Sequence, residues 1–165
     1  MEYHILMSER SAPIYFSAHI PAPNDEVWAA WTTEEGVRSF FAPDCSIDLQ
    51  PGGAYEMYFD LEAPAGLRGG EGCKVLAIDP GRMISITWNA PPELPTVRTQ
   101  RTHVLLRFAP LKNGNTDFQL THDGWGTTLE WAEARNYFVR AWGKIVIPRL
   151  IERFTKGPIQ WESIQ

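Results

Sequence analysis

From Ile14 to His122 apolar and polar positions alternate mainly with a period of two, and after Leu129 with a period near 3.6. The run Ile14–Ile20 predicts a first strand that Pro21 and Pro23 end. Asn24 is placed to cap a short helix from Asp25 to about Trp31, with Asp25 and Glu26 in its first turn and Val27, Trp28 and Trp31 facing inward. Thr33 caps a second short helix from Glu34 to Phe41, stopped by Pro43. Strand-like segments follow at Cys45–Leu49, Tyr55–Leu61, Gly72–Ile78, Met83–Trp88, Thr102–Phe108 and Thr116–His122. The turns between them are rich in Gly, Pro, Asn and Asp, among them Pro51-Gly52-Gly53, Asp79-Pro80-Gly81 and Lys112-Asn113-Gly114-Asn115. This order predicts a strongly curved antiparallel sheet of six to seven strands.

The parity of each strand selects one face of that sheet. Tyr55, Met57 and Phe59 share a side, as do Ile84, Ile86 and Trp88, then Val104, Leu106 and Phe108, then Phe118, Leu120 and His122. The other side carries Glu56, Ser85, Thr87, His103, Arg107, Gln119 and Thr121 and is wet. Thr127-Thr128-Leu129-Glu130 has the capping-box pattern, with Thr127 as the cap, and opens a helix running to Lys156 before Gly157-Pro158. At ~1.5 Å per residue that helix is about 40 Å long, enough to cross a small sheet. Trp131, Phe138, Trp142, Ile145 and either Pro148 or Arg149 form its apolar stripe, and Pro148 predicts a kink. The fold class is therefore α+β, with the long helix closing the apolar face of the sheet. Residues 1–10 are expected to be an N-terminal extension, 11–157 a single domain and 158–165 a tail.

Composition sharpens this picture in one respect. Aromatic residues make up an unusual 12% of the 165, including seven Trp, and part of that excess is expected to be core. Rigid aromatic rings are also what lines a concave apolar site. The formal charge of −5 leaves no basic footprint for nucleic acid or anionic lipid. No run reaches the roughly 20 apolar residues of a membrane helix, and the first residues lack the pattern of a signal peptide, so the expected location is cytoplasmic. Cys45 and Cys73 are too far apart for a zinc-ligand pair and read as buried thiols.

Chemistry-bearing residues are sparse. His122 continues the inward parity of Phe118 and Leu120, and it either meets a ligand as acid or hydrogen-bond partner or bonds a backbone carbonyl near Gly124. Asp60, Glu62, Glu71 and Asp123 stand near strand ends with no spacing that pairs them. His4, His19 and His103 share no metal-ligand spacing, and no cofactor is indicated. Trp125 and the Gly/Pro-rich loop Ala63–Gly70 are candidate covers for two cavity entrances.

The order strand, two short helices, meander and long closing helix is the helix-grip arrangement, and particular fragments carry a resemblance. They are Ile20-Pro21-Ala22-Pro23 with Glu26-Val27-Trp28, Pro51-Gly52-Gly53-Ala54-Tyr55, Val75-Leu76-Ala77-Ile78-Asp79-Pro80, Ile86-Thr87-Trp88, Leu120-Thr121-His122 with Gly124-Trp125, and Trp142. Over roughly residues 14–155 the chain resembles the START-like (SRPBCC, Bet v 1-like) superfamily. Within it, the chain is similar to bacterial domains akin to the C-terminal domain of the heat-shock protein 90 ATPase activator. The resemblance implies a cavity between helix and sheet and brings no shared catalytic motif. Relatives include lipid carriers, polyketide cyclases and aromatases, and chaperone activators; the activators add an N-terminal domain that these 165 residues do not contain.

The first functional expectation is therefore binding or carriage of a small apolar, aromatic or acyl molecule, with no catalysis assigned. Its cavity is expected to be lined by Tyr55, Met57, Phe59, Ile84, Ile86, Trp88, Val104, Leu106, Phe118, Leu120, His122, Phe138, Trp142 and Ile145. A cyclase-, aromatase- or hydrolase-like enzyme using His122 and a carboxylate at the mouth is the second. A chaperone-cofactor or stress-related interaction module is the third. A homodimer paired across a sheet edge is compatible with each.

Overall fold

The computed structural model describes residues 11–164; the extension expected over residues 1–10 lies outside the described residues. Seven strands form, numbered β1 (Ile14–Ile20), β2 (Asp44–Ile47), β3 (Tyr55–Tyr58), β4 (Val75–Asp79), β5 (Met83–Trp88), β6 (Thr102–Pro110) and β7 (Thr116–Asp123). They divide into a five-stranded antiparallel sheet of order β1-β7-β6-β5-β4 and a hairpin of β2 and β3. Isolated bridges Ala54 to Lys74 and Tyr58 to Gly69 attach the hairpin to the start of β4 and the loop before it. The break falls where Gly and Pro punctuate the sequence, because a ladder cannot run unbroken through the turns they impose.

Between β1 and β2 lie α1 (Asn24–Thr32) and α2 (Glu34–Arg38), the latter capped by Thr33, whose hydroxyl accepts from the Gly36 N–H at 3.0 Å. Asn24 is not a cap. Pro23 holds that position, and the Asn24 amide instead donates to the Gly81 carbonyl at 2.7 Å, pinning the helix to the β4–β5 turn. A short helix α3 (Pro95–Arg98) forms inside the Pro-rich loop, opened by Pro95 in its first turn.

The closing helix is α4 (Leu129–Arg140), then a wider π-helical stretch (Ala141–Val146), then α5 (Ile147–Thr155). Its cap is Thr128, one residue later than expected, accepting from the Trp131 N–H. Glu130 does not complete a capping box. Its carboxylate accepts from the Val97 N–H at 2.7 Å and ties α3 to α4. The irregularity expected at Pro148 is taken up one turn earlier by the π-helical stretch, which leaves Pro148 in the first turn of α5, where a missing N–H is tolerated.

The apolar face predicted from strand parity is the core. Tyr55, Met57, Ile84, Ile86, Val104, Leu106, Phe118 and Leu120 are all buried. The aromatic excess forms a connected chain of rings, with Trp31 stacked on Phe118 at 5.2 Å and Phe41 touching Trp31, Trp88 and Trp142 at 5.2–5.8 Å. Residues 158–164, expected as a tail, dock back: the Ile159 N–H donates to the Ser39 carbonyl at 2.9 Å and the Trp161 indole to the Arg38 carbonyl at 2.5 Å.

Candidate functional site

The middle of the closing helix stands over a cleft instead of packing flush on its neighbours. Tyr137 and Phe138 of α4, with Ala141, Trp142, Ile145 and Val146 of the π-helical stretch, face Trp88 at the end of β5. Phe41, from the turn after α2, and Phe59, just past β3, supply the opposite wall, and Arg149 of α5 stands at the edge. The cleft between them is about 220 Å³. A second cleft of about 210 Å³ shares Phe59, Trp88, Tyr137 and Phe138 and is walled by Asp60, Leu67, Arg68, Gly69 and residues 89–93, which places the candidate carboxylate Asp60 here, beside Glu93.

Of the residues expected to line a cavity, Phe59, Trp88, Phe138, Trp142 and Ile145 do so. Phe59 and Ile145 are each 46% exposed and stand at the mouth rather than inside. Tyr55, Met57, Ile84, Ile86, Val104, Leu106, Phe118, Leu120 and His122 are core residues that line neither cleft. Parity reports which side a residue faces but not whether the space there is filled. Phe41, Tyr137, Ala141, Val146 and Arg149 were not among the expected lining. The i, i+4 series Tyr137, Ala141, Ile145 and Arg149, beside Phe138, Trp142 and Val146, was the available signal.

His122 has both ring nitrogens committed. The Trp142 indole, a donor only, gives its N–H to Nδ1 at 3.0 Å, so the proton of the neutral ring sits on Nε2. Nε2 donates to the Thr102 hydroxyl at 2.7 Å, and that hydroxyl donates to the Trp88 carbonyl at 3.3 Å. Burial, and secondarily the neighbouring His103, push the His122 pKa down to about 3. The imidazole is thus neutral and linked to two cleft-wall residues, Trp88 and Trp142, instead of facing the cleft. Nor does it bond a carbonyl near Gly124; its own carbonyl accepts from the Trp125 indole at 3.0 Å.

Trp125 is buried against His122, Phe138 and Trp131, and so is part of the packing rather than a cover. The loop Ala63–Gly70 is tied down. Arg98 donates to the Gly66 and Ala90 carbonyls and Arg68 to the Ala63 carbonyl, while Glu71 accepts from the Arg68 and Gly69 N–H groups. Burial opposes charge on Glu71, but those N–H donors hold its pKa below the ordinary value. Burial pushes the thiol pKa of Cys45 up to about 11 and of Cys73 up to about 12, so neither is a ready nucleophile.

On the wet face Ser85, His103 and Asp123 make a relay, Ser85 Oγ to His103 Nε2 at 2.7 Å and His103 Nδ1 to Asp123 Oδ1 at 2.9 Å. The connectivity is that of a nucleophile, a base and an orienting carboxylate. The three residues line neither cleft, and β5 and β6 are paired on both sides, so their backbone N–H groups serve the ladders instead of an oxyanion. The relay is a cross-strand tie. No helix of the described residues is long and apolar enough to cross a membrane, and no group of three His, Cys, Asp or Glu among them could hold a metal ion.

Solved structures share this arrangement. The protein MLL2253 from Mesorhizobium loti is 20% identical, with 86% of this chain and 93% of that one covered and a TM-score of 0.62. CalU16 from Micromonospora echinospora is 23% identical over 91% of this chain and 78% of its own, with a TM-score of 0.61. Aha1 from Colwellia psychrerythraea is 20% identical over 88% and 98%, with a TM-score of 0.62. At these identities the likeness is one of fold. Among curated proteins none is similar enough in sequence to count as a relative. The family profile described as activator of Hsp90 ATPase homolog 1-like protein matches residues 21–152, and the chain, with its helix-grip fold, belongs to that family.

Proposed function

We propose that the chain binds a small apolar, aromatic or acyl molecule in the cleft between Trp88, Phe41 and Phe59 on one side and the helix from Tyr137 to Val146 on the other. The observation that carries this reading is the aromatic and aliphatic wall of the cleft, which at about 220 Å³ is smaller than the roughly 300 Å³ of an ordinary ligand pocket and limits the occupant to a small molecule. An engineered apolar cavity of about 150 Å³ holds one benzene ring, so this space suits a ring with a short substituent. Among the lining residues only Tyr137 and Arg149 are titratable, which leaves no acid and base to pair, and no reaction is assigned.

Ala141 lines the cleft, and enlarging it tests the reading. Titration of the wild-type protein with 2-naphthol, followed by quenching of tryptophan fluorescence, is expected to give saturable binding. In Ala141→Phe the affinity is expected to fall at least about tenfold with little change in melting temperature. Equal affinity in both proteins removes the cleft as the site.

A second reading is an interaction face, favoured by the exposure of Phe59, Leu67, Tyr137 and Ile145 around the two clefts. The Colwellia protein is described as a dimer. Light scattering tests the same state here. A mass of twice 18.7 kDa that halves in Phe59→Ser supports it, and a monomer at every concentration discards it.

A further inference from the structure

We infer that the occupant of this cleft carries a carboxylate, an arylalkanoic or similar short apolar acid, whose head Arg149 anchors while the aromatic walls hold its body. The inference rests on the cleft being the binding site, and it names the ligand class. Arg149 is the one charged side chain among the lining residues. It is half-buried, and like most arginines of the described residues it has no carboxylate within ion-pair distance, which leaves its guanidinium available to an anion. Glu152, three residues on, is exposed and acts on it only through space. Burial lowers the guanidinium pKa, a sign of incomplete solvation that an anion would relieve.

The guanidinium is also positioned. Its Cζ lies 5.3 Å from the centre of the Trp161 ring, which the docked C-terminal segment presents. A guanidinium held over an aromatic ring keeps its N–H edge for a planar, bidentate partner, and a carboxylate fits that fork. A single cation suits a single negative charge, and among the described residues no second Arg or any Lys lines this cleft to neutralise a phosphate dianion. The remaining wall, Phe41, Phe59, Trp88 and Trp142, offers ring edges and faces to an aromatic body.

The test compares 3-phenylpropanoate with its neutral isostere 3-phenylpropanamide at low ionic strength, by calorimetry. Wild-type protein is expected to bind the acid at least about tenfold more tightly than the amide. Arg149→Gln is expected to lose the preference for the acid over the amide, while Arg149→Lys keeps part of it. Equal affinity for acid and amide in the wild type overturns the carboxylate inference and leaves the cleft reading intact. Binding of neither probe, together with no binding of 2-naphthol, overturns both. A preference for the acid that persists undiminished in Arg149→Gln also overturns the assignment to Arg149. Melting temperatures identify a variant that fails to fold, in which case Arg149→Lys and the wild-type comparison decide.

Discussion

Trp142→Ala is expected to destabilise the fold by about 3–5 kcal/mol in urea unfolding, the range for removing a large buried aromatic side chain. The indole is 2% exposed and touches Phe41, Trp88 and Phe138, so its loss opens a cavity beside the cleft. It also strips the one donor to His122 Nδ1 among the described residues, leaving a buried acceptor unpaired. Trp142→Phe separates the two effects. An aromatic ring remains while the N–H and part of the indole volume go, so the expected loss is about 1–3 kcal/mol, smaller than for alanine and due mainly to the unsatisfied buried acceptor. If phenylalanine proves neutral, the hydrogen bond to His122 contributes nothing and the indole acts through packing alone. Either variant also reshapes one wall of the cleft, so ligand binding is read alongside stability.

Acid sensitivity is the second large effect expected. His122 has a pKa of about 3 in the folded protein against an ordinary value of 6.5. Between those values the unfolded chain binds a proton that the folded protein refuses, so stability falls as pH falls. The contribution is fully present above 6.5 and is lost as pH drops toward 3, at up to about 1.4 kcal/mol per pH unit. Going from pH 6.5 to pH 5 is therefore expected to lower the unfolding free energy by about 2 kcal/mol. The groups bonded to the ring, Trp142 and Thr102, are neutral, and His103 on the same strand as Thr102 acts in the same direction when charged. His122→Gln, which can still accept and donate but does not titrate, starts from a lower stability and should show a flatter profile over this window. Chemical denaturation at stepped pH measures it, and parallel profiles for the two proteins would place the acid sensitivity elsewhere.

These two predictions concern residues that the sequence singled out for another reason. The parity of Phe118, Leu120 and His122 correctly sends the imidazole to the buried side of β7. What parity cannot supply is the partner, because Trp142 lies 20 positions away on the closing helix and Thr102 on the neighbouring strand. The cleft is similar. Trp88, Phe138 and Trp142 were legible as inward residues, but whether the space between them is full depends on how the helix lies over β5. The π-helical stretch Ala141–Val146 that carries four of the cleft residues is not announced by any local propensity. Arg149 was ambiguous with Pro148 on the predicted stripe, and only the docked Trp161 ring and its place on the cleft edge give it a distinct environment.

Local pattern by itself determined the existence and order of the strands, their buried side, two of the short helices and the closing helix, but not their ends or the helix Pro95–Arg98, because period and turn chemistry are properties of neighbouring residues. The family resemblance carried by scattered fragments followed from the same text, and the match over residues 21–152 agrees with it. Tertiary structure alone decided the split of the strands into a five-stranded sheet and a hairpin, the caps that fell one residue off, the wiring of His122 and the shape of the cleft. Each of these depends on atoms brought together from distant parts of the chain. A packed interior leaves a cleft only where side-chain volumes fail to close the gap, and that sum is not written in any one segment.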